Sequence, residues 1–302
     1  MLTELCILKF LALLNAVDRN HCPDEVLRSI EAVFSASGND YRIIRFHSKY
    51  ESISAIADGQ RDGFDTLLMG GGDGTIHHLF NLSIGKGFRY GVIPLGTVSA
   101  LARSLNIPAN PAAACRVALA GKTLKMDIGR AANRYFTCFG SVGLDASVVH
   151  TIETTSKVRW KHAAFVMQGL RRLARLDEIA PIEAELFPSG EIIKGYSLLF
   201  SNLPIYAGFR LFASKADDGE MEMLIFKKNK ARHYLYGVCK MLFNKNCGMG
   251  NERLFFRGVA ERLIVRSAGS LFMQLDGEPI PTEPAQDIVF EVIPKAAEFL
   301  VP

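Results

Sequence analysis

The sequence has 302 residues, 49% hydrophobic and 22% charged, which excludes a disordered chain and allows two domains with separate cores. The net charge of +4 does not require a nucleic-acid partner, and we expect none, but it leaves contact with an anionic membrane surface open. The six cysteines form no CxxC pair, which argues against a disulfide framework or a zinc site and favours a cytoplasmic protein with reduced thiols.

The first part of the chain alternates strand and helix patterns. Strands are predicted over Leu8–Leu14, Tyr41–Phe46, Phe64–Met69 and Tyr90–Pro94, and helices over 23–37, 52–58, 99–105 and 111–120. This alternation predicts an α/β domain, a parallel sheet with helices on both faces. The apolar stretch Leu5–Val17 is too short for a membrane span, so any membrane contact is expected to be peripheral.

A glycine turn with one carboxylate, Gly70–Thr75, follows the third predicted strand and precedes a helical pattern. A strand, a glycine turn and a helix start present backbone N–H groups to phosphate. The turn also contains an acid, Asp73, which would repel phosphate unless a metal ion or a substrate hydroxyl stood between them. Asp73 therefore favours phosphoryl transfer over passive nucleotide binding. The alternative is a plain turn in which Asp73 caps the helix.

A second turn of this kind, Gly96-Thr97, follows the strand that ends at Pro94. Both turns lie at the carboxyl ends of predicted parallel strands, the edge at which such sheets bind ligands. The Thr97 hydroxyl is therefore a candidate to donate a hydrogen bond to a phosphate. The alternative is that Thr97 is an ordinary turn residue.

From Met126 onward, short alternating patterns predict an antiparallel β domain. The predicted strands are Tyr135–Phe139, Ile182–Phe187, Gly195–Phe200, Met221–Phe226, Leu263–Ser267, Leu271–Leu275 and Ile288–Val292. We expect a nucleotide-binding α/β domain over 1–128 and a β-sandwich lipid-substrate domain over 129–302, whose extreme end packs back on the first domain.

Two acidic turns in the second half are candidate reaction-site elements. Asp217, Asp218 and Glu220 surround a glycine and suit Mg²⁺, which prefers oxygen ligands. Glu278, in Asp276-Gly277-Glu278, could accept a proton from an alcohol. Each segment also reads as an ordinary hairpin turn.

Together these motifs closely resemble the diacylglycerol kinase catalytic-domain family, which includes bacterial lipid kinases and sphingosine kinases. The resembling segments are Gly70–Thr75, Pro94–Thr97, Ala102–Pro108, Met126–Gly129, Tyr135-Phe136, Gly143–Ala146, Asp218-Gly219, Asp276–Glu278 and the C-terminal residues.

The resemblance implies a phosphofructokinase-like first domain, with ATP in an interdomain cleft. The nucleotide-binding positions would be Asn15, Gly71, Gly72, Asp73, Gly74, Thr75, Gly96 and Thr97. Glu278 would be the proton acceptor, and Asp73 would act with it in catalysis. Asp218 would bind Mg²⁺ by its side chain, and Lys215 and Glu220 by backbone carbonyls. Asp73 and Asp127 would orient the metal and its waters.

Three loops depart from the family pattern. In the first loop the family has Asn-Pro-x-x-Gly, and this chain has Asn15-Ala16-Val17-Asp18-Arg19, which keeps only the asparagine. After the first glycine turn, His77-His78 replaces the family's Asn-Glu, and in the second turn Val98–Ala100 replaces x-Asn-Asp. We expect the two histidines to be exposed on their helix, and contact with a phosphate or a carboxylate is the alternative. The departures motivate one alternative, a catalytically impaired nucleotide- or lipid-binding homologue. An NAD kinase-like enzyme, which shares the glycine turn, is the other.

The leading interpretation is an ATP- and Mg²⁺-dependent lipid kinase that contacts the membrane peripherally. A basic segment, Lys157–Arg175, could rest on anionic lipid, or it could be a solvated helix face. Leu235–Phe243 could line a lipid entry, although a core position is the alternative. A homodimer stays open.

Overall fold

The computed structural model describes residues 8–16, 22–153, 179–206, 208–243, 250–251 and 253–302. The predicted basic segment Lys157–Arg175 lies outside these residues. The chain forms two compact units, Met1–Met126 with Lys295–Pro302 (unit 1) and Asp127–Pro294 (unit 2). Among the described residues, no helix is long and apolar enough to span a membrane.

Unit 1 is built on parallel strands in the order β2-β1-β3-β4, followed by the C-terminal end of β19, which pairs parallel to β4. The strands are β1 (Lys9–Asn15), β2 (Asp40–Phe46), β3 (Thr66–Gly71) and β4 (Arg89–Pro94). The helices are α1 (Asp24–Ser35), α2 (Lys49–Arg61), α3 (Asp73–Ser83), α4 (Ala100–Ser104) and α5 (Pro111–Ala120). The predicted α/β fold is confirmed.

Helices cover both faces of this sheet. On one face, Ile30 and Phe34 of α1 and Ala118 of α5 pack with alternate β1 residues in one buried cluster. On the other, Phe80 of α3 forms an aromatic group with Tyr90 and Phe299. Burial on both faces explains why β1 and β3 read as nearly continuous apolar runs.

Unit 2 contains the predicted antiparallel sheets. One sheet has the order β14-β15-β13-β10-β7-β17-β18. These strands are β7 (Phe139–Val142), β10 (Ser197–Ser201), β13 (Met221–Phe226), β14 (Gly250–Asn251), β15 (Phe255–Ala260), β17 (Met273–Leu275) and β18 (Glu278–Ile280). The second set joins β9 (Ile192–Gly195), β8 (Ile182–Phe187), β16 (Arg262–Arg266) and the first part of β19 (Ile288–Leu300), all antiparallel.

A shared buried cluster fills the space between the two sets of strands and contains Phe136, Phe200, Leu263, Met273 and Phe290. The remaining elements are β5 (Thr123–Ala131), β6 (Arg134–Phe136), β11 (Ile205–Tyr206), β12 (Phe209–Arg210), α6 (Leu144–Glu153) and α7 (Ala231–Phe243). The chain passes between the units within β5 and within β19.

One predicted strand, Tyr135–Phe139, is divided in the structure into β6 and β7. The backbone N–H groups of Thr137 and Cys138 donate to the Asp276 carboxylate instead of to a neighbouring strand. Because a strand needs those donors for its ladder, the pattern breaks at these two residues.

Candidate functional site

The first glycine turn joins β3 directly to α3. Gly72 is the residue before the helix and adopts an extended conformation, with φ −83° and ψ 177°. Within the part of the chain that the structure describes, no side chain caps the N-terminus of α3, whose first residues are Asp73, Gly74 and Thr75. An 11-residue helix with an uncapped N-terminus at the carboxyl end of a parallel strand directs backbone N–H groups and a positive dipole end outward.

The second glycine turn packs directly against the first. The Leu95 N–H donates to the Gly71 carbonyl at 3.0 Å. A Cβ added to Gly96 would lie 2.6 Å from the Cα of Gly72, and one added to Gly71 would lie 2.5 Å from the Thr75 side chain. The glycines therefore allow two backbone turns to touch, which side chains would prevent.

Asp73 joins the two turns through its side chain. Its carboxylate accepts a hydrogen bond from the Ala100 N–H, at the start of α4, at 2.7 Å. The alternative in which Asp73 caps its own helix is wrong, since Gly72 holds the N-cap position. The second turn is further held by the buried Ser99, whose hydroxyl donates to the Gly96 carbonyl.

Asn15 lies at the carboxyl end of β1 and reaches the first turn. Its amide donates to the Thr75 hydroxyl at 2.7 Å. Unit 1 thus brings Asn15, Gly71–Thr75 and Gly96 together. Thr97 follows in the second turn and is exposed.

The expectation of exposed histidines on α3 is wrong. His77 is 5% exposed, and its ring nitrogen lies 3.5 Å from the Asn81 amide. His78 is partly buried, and its Nε2 lies 3.0 Å from the Ser52 hydroxyl of α2. Burial, with Lys49 and His77 nearby, lowers the pKa of His78. Both histidines therefore pack α3 inside unit 1.

Asp127, in unit 2, anchors the first acidic turn. It is fully buried, its carboxylate accepts from the Gly219 N–H at 2.6 Å, and its own N–H donates to the Ala216 carbonyl at 2.6 Å. The Asn202 amide donates to the Asp127 carbonyl at 2.7 Å. These bonds hold the turn that contains Lys215, Asp218 and Glu220, which are exposed.

A buried ion pair, which the sequence analysis missed, holds the other end of that turn. The Glu222 carboxylate of β13 pairs with the Arg257 guanidinium of β15 and accepts from the Ala213 N–H at 2.7 Å. The side chains of Glu222 and Arg257 are only 2% and 9% exposed. The available signal was the charged residue within the apolar run Met221–Phe226.

The acidic turn has donor atoms that suit a magnesium ion only in part. Among the described residues, no group of three or more His, Cys, Asp or Glu side chains could hold a metal ion. The turn does offer exposed carboxylates, Asp217 and Asp218, with adjoining carbonyl groups. Mg²⁺ is commonly held by one or two carboxylates together with waters and substrate phosphates. These oxygen atoms therefore fit a Mg²⁺ ion whose remaining ligands come from water and substrate phosphate.

Asp276 anchors the second acidic turn, and its role was also missed. Its carboxylate accepts from the N–H groups of Thr137, Cys138 and Phe139 at 2.7, 2.8 and 3.0 Å. Asp276 is only 7% exposed and has φ +51°. The partly buried Glu278 begins β18 two residues later.

A polar network lies beside this turn. The Gln274 side-chain carbonyl accepts from the Gly277 N–H at 2.8 Å, and its amide nitrogen donates to Ser141 at 2.8 Å and Asp145 at 3.1 Å. The Ser141 and Tyr206 hydroxyls also donate to Asp145. Burial raises the pKa of Asp145 to about 6, and the hydrogen bonds from Ser141 and Gln274 oppose that rise.

Similarity to known proteins agrees with this architecture. Residues 9–131 match the diacylglycerol kinase catalytic domain. The diacylglycerol kinase of a bovine strain of Staphylococcus aureus is 31% identical over 223 residues, which cover 72% of this chain and 69% of that protein. For a second Staphylococcus aureus strain the identity is 31% over 174 residues, 56% of this chain and 54% of that protein.

Solved structures show the same fold. A putative diacylglycerol kinase from Bacillus anthracis superposes with a TM-score of 0.76 at 17% identity, covering 98% of this chain and 97% of that one. A second Bacillus anthracis diacylglycerol kinase gives 0.73 at 16% identity, with the same coverage. The chain therefore belongs to the diacylglycerol kinase catalytic-domain family, a family of lipid kinases.

Proposed function

We propose that this protein transfers the γ-phosphoryl group of ATP to the hydroxyl of a lipid, with Mg²⁺ as the metal. The observation that carries the proposal is the contact between the two glycine turns at the carboxyl ends of β3 and β4. Family membership favours this activity over an NAD kinase-like one.

The nucleotide-binding role falls to unit 1. Backbone N–H groups of Gly72–Thr75, at the N-terminus of α3, would hold the phosphates, and the Thr97 hydroxyl would donate to one of them. Asn15 would orient the Thr75 hydroxyl, to which it already donates. Asp73 would keep the second turn in place through Ala100. Catalysis then depends on positioning rather than covalent chemistry.

The metal-binding role falls to the first acidic turn of unit 2. Asp218 would bind Mg²⁺ by its side chain, and Lys215 and Glu220 by their carbonyl groups. Asp127 would position the turn through the Gly219 N–H. When bound, the ion would neutralise negative charge that develops on the transferred phosphoryl group.

Glu278 would act as general base. Its carboxylate would take the proton of the lipid hydroxyl while that oxygen bonds to the γ-phosphorus. The bond from phosphorus to the ADP oxygen would break, leaving ADP and a phosphorylated lipid. The named relatives are diacylglycerol kinases, so diacylglycerol is the first acceptor to test.

The test is transfer of label from γ-labelled ATP to lipid alcohols in mixed micelles, comparing Glu278→Gln with the exposed Glu283→Gln. We expect a labelled lipid from the unmodified protein and from Glu283→Gln, and a loss of about 100-fold or more in Glu278→Gln. Full activity in Glu278→Gln would reject Glu278 as base. ATP binding without transfer to any lipid would support the impaired homologue instead.

A magnesium titration tests the acidic turn separately. Asp218→Asn should raise the Mg²⁺ concentration needed for half-maximal rate, because the ion loses its charged ligand. Asp217→Asn should change that concentration less. Equal effects of the two substitutions would contradict the assignment to Asp218, and an unchanged requirement in both would place the metal elsewhere.

A further inference from the structure

The Gly143-Leu144-Asp145-Ala146 motif has no role in the reaction as proposed so far, yet the structure links Asp145 to the turn of Glu278. The link runs through Gln274, which donates to Asp145 and accepts from the Gly277 N–H. Gln274 and Ser141 are fully buried, so water cannot substitute for missing partners.

The donors around Asp145 determine which way the Gln274 amide faces. Ser141 and Tyr206 donate to the Asp145 carboxylate, and the Gln274 nitrogen donates to both Ser141 and Asp145. An ionised carboxylate only accepts hydrogen bonds, so it selects the NH₂ end of Gln274. The carbonyl end must then face the Gly277 N–H, where it accepts at 2.8 Å.

We propose that Asp145 is a positioning residue for phosphoryl transfer: it fixes the Gln274 amide, which in turn holds the Gly277 N–H and the turn that carries Glu278. This inference rests on the proposed role of Glu278 as base. Asp276 holds the same turn from the segment 137–139, so the Gln274 bond acts on a turn already anchored at one point.

Two single substitutions each disturb the network. Asp145→Asn places an NH₂ group where the Asp145 carboxylate accepts hydrogen bonds from neighbouring donors. Gln274→Glu places a second carboxylate beside Asp145. Either change should weaken the bond to Gly277 and lower kcat, because small displacements of a reacting group can reduce rates by about 100-fold. The KM for ATP should stay unchanged, since the nucleotide is assigned to unit 1.

The double substitution Asp145→Asn with Gln274→Glu reverses the network without removing a bond. The NH₂ group of the introduced asparagine would donate to Ser141 and to the introduced glutamate, and Ser141 would donate to that glutamate. Tyr206 would still donate to the side-chain carbonyl of the asparagine. The other carboxylate oxygen of the glutamate would accept from the Gly277 N–H. Total charge is also preserved, so we expect kcat to recover most of its loss.

Hydrogen exchange at the Gly277 amide gives a readout that needs no activity. Protection should fall in each single variant and return in the double variant. Ser197→Ala, which removes a buried donor to the Val142 carbonyl outside the network, is the matched control and should leave kcat and Gly277 exchange unchanged.

The outcomes separate the two proposals. Recovery of Gly277 protection and kcat in the double variant supports the positioning role. Single variants with unaltered Gly277 protection, or a double variant no better than the singles, overturn it. An inactive unmodified protein, or an active Glu278→Gln, would instead reject the proposed function, whereas the exchange experiment would still report whether Asp145 holds the turn.

Discussion

In unit 1 the glycine turns are held by close backbone packing, whereas in unit 2 the acidic turns are held by buried carboxylates. A Cβ on Gly96 would lie only 2.6 Å from the Cα of Gly72. Asp127 and Asp276, by contrast, accept hydrogen bonds from the backbone N–H groups of segments distant in sequence. Unit 1 should therefore be sensitive to added volume, and unit 2 to a lost acceptor or partner.

The carboxylates of unit 2 also differ among themselves. Asp127, Asp276 and Glu222 are buried and bonded to backbone, whereas Asp217, Asp218 and Glu220 are exposed. Buried acids therefore support the turns, and exposed ones are available to ligands. Substitutions of the buried acids should lower stability, whereas substitutions of the exposed acids should leave it nearly unchanged.

The largest expected effect is the loss of the buried ion pair in unit 2. Arg257→Met would leave Glu222 buried without its charge partner, which should lower the free energy of unfolding by about 3–5 kcal/mol. Lys194→Met, which removes an exposed pair with Glu183, should lower it by less than about 1 kcal/mol. Urea unfolding measures both, and similar losses would contradict the role assigned to burial.

Added volume provides the matching test in unit 1. Gly96→Ala should destabilise the protein by about 3 kcal/mol, because the clash is with backbone that cannot rotate away. Gly72→Ala is the matched control: its Cβ would lie 3.7 Å from the Gly96 Cα, at a φ of −83° that alanine adopts readily. Thermal unfolding with and without ATP measures both stability and nucleotide binding. Equal losses of stability in the two variants would contradict the close packing of the turns at Gly96.

Replacing an acceptor in unit 2 should have a smaller effect. Asp276→Asn turns an NH₂ group toward N–H donors of the segment 137–139, which should cost about 2 kcal/mol and reduce phosphoryl transfer. The exposed Asp287→Asn, which weakens a surface pair with Arg266, serves as control. If Asp276→Asn kept full stability, the division of the predicted strand at Thr137 would need another cause.

A different kind of effect, a pH dependence of stability, is specific to Asp145. Its pKa is raised to about 6 by burial, so the folded protein holds this proton more tightly than the unfolded chain does. The resulting stabilisation is complete below the ordinary aspartate pKa of about 4 and is lost as the pH rises through about 6. The unfolding free energy of the unmodified protein, relative to Asp145→Asn, should therefore fall across this interval. Parallel curves for the two proteins would contradict the shift.

Much of unit 1 could be predicted because its signals are local. The alternating apolar runs indicated a parallel sheet, and the helix predicted over Pro111–Ala120 has those bounds in the structure. The glycine turns were recognisable because only glycine suits backbone approaches of this kind. His77 was predicted exposed and is buried, since sequence spacing on α3 does not reveal which neighbouring elements pack against it.

For unit 2, the antiparallel β fold class could be predicted, but the contacts that hold its turns could not. The bounds of Ile182–Phe187 and Met221–Phe226 agree with prediction, because alternating and apolar patterns mark strands locally. The predicted strand Tyr135–Phe139 divides because Asp276, far along the chain, binds its N–H groups. No window of sequence around Thr137 contains that information.

By itself, the sequence determined the α/β and antiparallel β classes, the family resemblance and the positions of the glycine turns, because periodicity and glycine punctuation are encoded over a few residues. Only the tertiary structure decided which acids are buried and support a turn, and which are exposed. Asp73 reaches α4, Asp145 reaches Gln274 and Glu222 pairs with Arg257. Hydrogen bonds between residues this far apart in sequence form only when the fold brings them together.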